Sequence, residues 1–535
     1  MKQHSFTSRL KSLAVVFGIA LAFTSCANED VVQNPTNPNE DNDKNLTSFM
    51  AGGETRTSMD YNSGNFYWEA DDYIYVKDDD GVLRKSTNAP TSKVASFNYR
   101  VPGKFTASSS YEVYYFGKNS SGNSVTISTA QRQTAPDNTA HFGDAGDYGT
   151  ATATGSVGGK EFSFQLEHHP AYLVFQPYTS NTLLRNFYLT KVEVSSDNDI
   201  AETYTFNPTT GALDASAVTD GKQIVLTTKD ATSGSSYNNG FPLTNNSASV
   251  TTNGAYMVIK PGTHTLRVRY WVKDVATSTE GTITKTYPST AYASNTYYDM
   301  TANLNPKNYD GDHYYMWDAQ EQYWKGYEWT KNLGAGVGQP TIRRYYPGAT
   351  TSSNYAQSNT DPRYCNEAFT NGADNKATHT PCKDLPNVNE LSWYVVYGDP
   401  RWDRDELWTT MGHLYKGGMW FKKKSVLQAD GNYDTEKSAD RTTDMRTTDK
   451  DYHNYSSSLT NSGLPSVADA GNYFYLPALG YYLLGELCEV GNGFYWSSTA
   501  HPVASVYSYD LNFGSNGVEI HRYYRFAGMR VDGFE

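Results

Sequence analysis

The chain has 535 residues, a net charge of −13 and 44 tyrosines. A balance this acidic, without a clustered Lys/Arg excess, argues against a nucleic-acid-binding surface, and the length is too great for one hydrophobic core. Abundant Tyr, Thr, Ser, Asn and Gly with sparse Leu points to pleated, half-buried surfaces and a mainly β structure.

Arg9 and Lys11 precede an apolar run, Leu13–Phe23, too short to span a bilayer as a helix but long enough for a signal-peptide hydrophobic segment. Small residues then lead to Cys26. The arrangement resembles a bacterial lipobox, which implies a signal peptide over 1–25 and a lipid-anchored Cys26 on an exported chain. An ordinary secretory signal is the alternative. Multiple acylation at Cys26 would give durable membrane anchoring, since each buried methylene contributes about 0.8 kcal/mol. No second long apolar stretch follows. Residues 26–45, rich in Asn, Asp, Glu and Pro, form a disordered acidic tether. Glu29-Asp30 resembles the export signal of surface lipoproteins in some Gram-negative anaerobes, or is a plain solvated spacer.

Strand signals begin at Leu46. Phe66, Trp68, Ile74 and Val76 alternate with other residues, and Asp80-Gly81 marks a hairpin. The run Asp78–Gly81 is read as a turn rather than a calcium loop, because Val76 and Thr87 stand where ligands would be needed. The Gly/Ser/Thr/Ala-rich region around Gly143–Gly159 marks a boundary, giving domains over 46–150 and 151–305. In the second, Leu266–Val272 alternates apolar and largely cationic residues. His168 and His169 are read as structural, since neighbouring strand side chains point to opposite faces.

Phe49–Val76, with its Thr-Arg-Thr and a Trp followed by acidic residues, resembles the opening of a fimbrillin-like domain. Phe164–Phe175 and Tyr256–Gly262 are similar to the marks of a second such domain. The resemblance implies two tandem transthyretin-like β-sandwiches of the type V pilus (Mfa/Fim-like) family. It also implies proteolysis after an Arg that frees a groove for a neighbouring subunit's strand. Arg56 is the candidate cut site, an ordinary strand arginine being the alternative.

Residues 306–535 gain Trp, Gly and short helix signals. Asn387 and Glu390 have cap-plus-Glu spacing, with Val388, Leu391 and Val395 at helical intervals. Tyr315–Asp318, Asp384–Glu390, Leu476–Gly480, Tyr495–Thr499 and Gly528–Val531 resemble a FISUMP-type module, an α+β relative of C-type-lectin-like and sulfatase-modifying folds. The enzyme relatives use a late cysteine pair, and only Cys488 lies in that region; Trp496-Ser497-Ser498 stands where a calcium lectin would have Asn and Asp ligands. No metal or cofactor is therefore assigned. A Cys365–Cys382 disulfide is permitted in an oxidising compartment, although spacing does not fix the pairing. Tyr495 and Trp496 are read as interior. Tyr523 and Tyr524, beside Arg522 and Arg525, are the candidate ligand-binding residues.

The combined expectation is a non-enzymatic outer-membrane or fimbrial adhesin, placed at a pilus tip. Its partners would be other pilus subunits and a host, bacterial or matrix protein or glycan. A non-polymerising glycan-binding lipoprotein and an enzyme with an unrecognised site are the alternatives.

Overall fold

The computed structural model describes residues 2–5, 45–52, 58–61, 66–118, 120, 122–309, 311–327, 354–367, 376–455, 459 and 463–535. They form two compact units, Met1–Glu280 with Thr284–Asn305, and Gly281–Ile283 with Pro306–Glu535. Both are mainly β, with parallel and antiparallel pairings in several sheets. No helix among the described residues is long and apolar enough to cross a membrane.

In the first unit β1 (Lys2–Ser5), β2 (Leu46–Ala51), β3 (Phe97–Pro102), β4 (Ser110–Tyr115), β5 (Gly149–Gly155) and β6 (Glu161–Phe164) come first. Five of them lie side by side in the order β4-β5-β6-β2-β3. β2 runs parallel to β6 and antiparallel to β3, so both its edges are hydrogen-bonded. Phe49 from β2 is fully buried, its ring 5.3 Å from Phe162 and 5.1 Å from Phe105. Trp68, Ile74, Val76, Tyr99 and Val113 complete this core.

The run Asp78–Gly81 is a turn. Asp78 Oδ1 accepts the N–H groups of Asp80 and Val82, and Oδ2 accepts from Arg84 Nε at 2.7 Å.

Composition misplaced the expected boundary at 150/151. The small residues of β5 form a full antiparallel ladder with β4 and bury Ala153, so the first sheet continues through β6. Ala130–Gln133, which comes earlier in the chain, instead pairs with a strand of the second half.

That half contains β7 (Ala171–Tyr178), β8 (Phe187–Ser196), β9 (Gln223–Thr228), β10 (Ala255–Ile259), β11 (Gly262–Asp274) and β12 (Thr296–Asn303). One sheet runs β1-β12-β7-β10, and another holds β9-β8-β11. β7 is buried on both faces, which accounts for its unbroken apolar run. Phe175 of β7 meets Tyr270 of β11 edge-on at 6.0 Å, joining the sheets. The cationic side of β11 is covered in part, with Lys191 lying 3.8 Å over the Trp271 ring. His168 and His169 point opposite ways: His168 is buried against Asp147, and His169 Nε2 meets Thr150 Oγ1 at 2.7 Å.

In the second unit, α1 (Val388–Tyr397) begins with a capping box. The Asn387 side chain accepts the Glu390 N–H at 3.0 Å, and the Glu390 carboxylate accepts the Asn387 N–H at 2.8 Å. Two of the four unpaired helix-start donors are thereby satisfied. β13 (Arg401–Thr410), β14 (His413–Lys422) and β15 (Tyr473–Pro477) form an antiparallel set. β16 (Gly493–Ala500), β17 (Tyr507–Gly514) and β18 (Gly517–Tyr524) form a second, with β19 (Met529–Arg530) parallel to β16. Both sets and α1 close on Leu391, Val395, Phe421, Leu476, Tyr495, Leu511, Phe513 and Val518. Trp496 is fully buried and Tyr495 nearly so, as expected of interior residues.

Candidate functional site

The site grows from the β17–β18 hairpin. Gly514 and Gly517 face each other across a two-residue loop, which fixes the register of every pair below. Gly517 is needed there, because a Cβ would lie 2.6 Å from the Asn454 carbonyl oxygen. That close approach lets the short strand His453–Asn454 pair with the start of β18.

Along β18, Val518 and Ile520 turn into the core, while Arg522 and Tyr524 continue on the same face beyond its edge. Register sets Tyr507 opposite Tyr524 and Tyr509 opposite Arg522. The rings of Tyr507 and Tyr524 stand 4.9 Å apart, and Phe526 stacks on Tyr524 at 5.0 Å. Tyr524 is 40% exposed. Arg522 is pinned rather than free: Nη1 donates to Asp449 Oδ2 at 2.7 Å, and Tyr509 Oη donates to the other oxygen at 3.2 Å.

The opposite face carries Glu519, His521 and Tyr523 across from Asn512, Asp510 and Ser508. Tyr523 Oη lies 2.8 Å from Tyr481 Oη. Asp510 is wholly buried, and neither of its carboxylate oxygens has a hydrogen-bond partner. Its cationic neighbour is His521, with Nδ1 at 3.4 Å from Oδ1, an ion-pair distance without hydrogen-bond geometry. Burial pushes the Asp510 carboxyl above the usual carboxylate range, opposed by His521. The Asp510 carboxylate in turn raises His521. The strand end opens into a groove of about 590 Å³, lined by both faces' residues including Tyr507, His521, Arg522, Tyr523 and Tyr524. A groove of this size, with rings beside charged and hydroxyl groups, suits a small polar ligand.

Three of the four residues singled out as ligand-binding, Arg522, Tyr523 and Tyr524, therefore meet in one groove. Arg525 does not join them. It is 2% exposed, its Nε donates to the Tyr507 carbonyl and Nη1 to the Asn366 carbonyl, both at 3.1 Å, and its guanidinium lies 4.6 Å over Trp317. The reason is local: the chain turns after Tyr524, with the Ala527 N–H bonded to its carbonyl, and strand alternation no longer governs the next side chain.

The Cys365–Cys382 bridge is corrected as well. Both are free buried thiols in different apolar clusters, and Cys488, also free and buried, shares the cluster of Cys382. Burial pushes Cys365 and Cys382 up to about 12, so neither is a ready nucleophile. Cys26 and Arg56 lie outside the described residues. Among the described residues no group of three His, Cys, Asp or Glu side chains is placed to hold a metal ion. The sequence offers Tyr507 beside Tyr523 and Tyr524 as a stacking residue, but the Asp510–His521 pair was missed; the Gly-Ser-Asn-Gly turn carried the signal, since its register pairs them.

No protein-family model matches the sequence, and no curated protein sequence matches it. Solved structures give distant likenesses. A suspected cell adhesion protein from Bacteroides ovatus is 15% identical, with 48% of this chain and 92% of that one covered and a TM-score of 0.31. A fimbrial protein from Bacteroides ovatus is 10% identical over 90% and 98% of the two chains, with a TM-score of 0.22. The fimbrial anchor protein Mfa2 from Porphyromonas gingivalis is 12% identical over 44% and 80%, with a TM-score of 0.20.

Proposed function

We propose that the chain is a non-enzymatic fimbrial subunit of the outer bacterial surface, exported and lipidated at Cys26. In this reading transthyretin-like sandwiches carry a C-type-lectin-like, FISUMP-type head, and the subunit ends the fibre as its tip adhesin. The observation that carries the reading is the position of β2. It lies inside its sheet, hydrogen-bonded on both edges, and leads into residues 53–57, the link that contains Arg56. Cutting after Arg56 and withdrawing β2 would leave a slot between β6 and β3 with two unsatisfied ladders and an empty Phe49 position. A neighbour's strand would refill both, restoring main-chain hydrogen bonds and about 2–3 kcal/mol of apolar burial at the Phe49 position alone.

The packing of residues 529–535 within the second unit fits a terminal place in the fibre. β19 is paired within the second unit, Phe534 packs among Tyr394, Phe474 and Tyr495, and the Glu535 carbonyl accepts the Lys424 N–H at 3.0 Å. A tail held in this way is not free to fill another subunit's slot.

Mass spectrometry of the protein recovered from sheared fibres tests the processing step. The expected N-terminus is Thr57; an intact, acylated Cys26 on fibre-borne protein would overturn it.

A further inference from the structure

We infer that the groove at the end of β18 takes a neutral saccharide, stacked against Tyr524 and hydrogen-bonded by His521. The inference rests on the reading of the second unit as a binding head and specifies its ligand class. Its volume of about 590 Å³ falls within the roughly 300–1,000 Å³ of small-molecule sites. Tyr507 and Tyr524 supply apolar ring surface at the mouth, and polar groups stand beside them. A sugar has the complementary make-up, a C–H face bordered by hydroxyl groups.

Charge separates this class from the acidic glycans. Arg522, the guanidinium lining the groove, is already paired with Asp449, and Glu519 and Asp451 line the same space. A sulfated or phosphorylated chain would therefore meet no surplus of cations.

The second, independent observation is Asp510. A buried carboxylate with both oxygens unbonded is costly, so such a group in a native fold calls for an explanation. Here it sits against His521: Nδ1 is buried 3.4 Å from the carboxylate, on a side chain that is 35% exposed and lines the groove. Asp510 thus acts as a positioning residue and keeps the imidazole protonated to a higher pH than otherwise, so that Nε2–H donates to a sugar oxygen. The charged groups around His521 are Asp510 on β17, and Glu519 and Arg522 on β18; His453 of the adjacent short strand lies opposite Glu519 in the register.

The test is calorimetric titration of the full chain with maltohexaose, mannohexaose, galactotetraose and chitotetraose, and with a heparin hexasaccharide for contrast. At least one neutral oligosaccharide should bind, and Tyr524→Ala should weaken it about tenfold, the loss of one aromatic contact. Affinity should decline as pH rises through the His521 transition, and Asp510→Asn should flatten that profile. Should Asp510→Asn fold poorly, His521→Gln serves the same comparison. Absence of binding by every neutral oligosaccharide, preferential binding of heparin, or affinity unchanged in Tyr524→Ala would each overturn the saccharide assignment. None of these outcomes bears on strand exchange or on the position of the subunit in a fibre, which are tested separately.

Discussion

Arg522 and Arg525 are three positions apart and have opposite fates. Arg522 lies at the solvent edge with one acidic partner, so Arg522→Ala should leave stability within about 1 kcal/mol of the parent, as for most exposed pairs. Arg525 satisfies two backbone carbonyls from the interior, and Arg525→Met should cost about 2–4 kcal/mol in chemical denaturation. Equal losses in the two variants would contradict this contrast. Asp510 and His521 give a further test at the same scale. Each has a folded value raised above its unfolded one, near 3.9 and 6.5 respectively, so folding favours the protonated groups. Their contribution is complete at pH below about 4 and declines as pH rises through the two folded values. Thermal melts should show Tm falling over that window, with the slope reduced in Asp510→Asn. Parallel curves for parent and variant would show that the pair does not titrate with folding. Tyr523 and Tyr524 were legible in the sequence because they stand beside the charged or polar His521, Arg522 and Arg525. The inward turn of Arg525 was not, since it depends on a carbonyl supplied by Asn366, far away in the chain.

Elements were readable where one local rule decided them. The α1 start follows from Asn387 and Glu390 alone, and Asn387→Ala should cost about 1 kcal/mol of stability, measurable by denaturant unfolding. The Asp78–Gly81 turn follows equally from its own residues. β5 was misread because small residues serve both linkers and tightly paired strands, and only the ladder with β4 distinguishes them. The central place of β2 was also hidden, since neither of its partners, β6 and β3, adjoins it in sequence. Phe49→Ala should destabilise the unprocessed chain by about 3–5 kcal/mol, because its ring fills a core position between Phe105 and Phe162. A loss under about 1 kcal/mol would mean that β2 contributes little, and that a replacement strand would gain little by entering its slot.

Over the whole chain, cysteine state and assembly are the properties most open to direct measurement. Cys365, Cys382 and Cys488 should resist thiol reagents in the native protein and all three should react after unfolding without reductant. Fewer reactive thiols under those conditions would restore a disulfide. The assembly account depends on a removable buried strand in the first unit and a held segment, residues 529–535, in the second. Immunogold electron microscopy of intact fibres with an antibody against residues 306–535 tests it most directly. The account predicts label confined to the free ends of fibres; label distributed along the shaft, or restricted to the cell body with none on fibres, would contradict it.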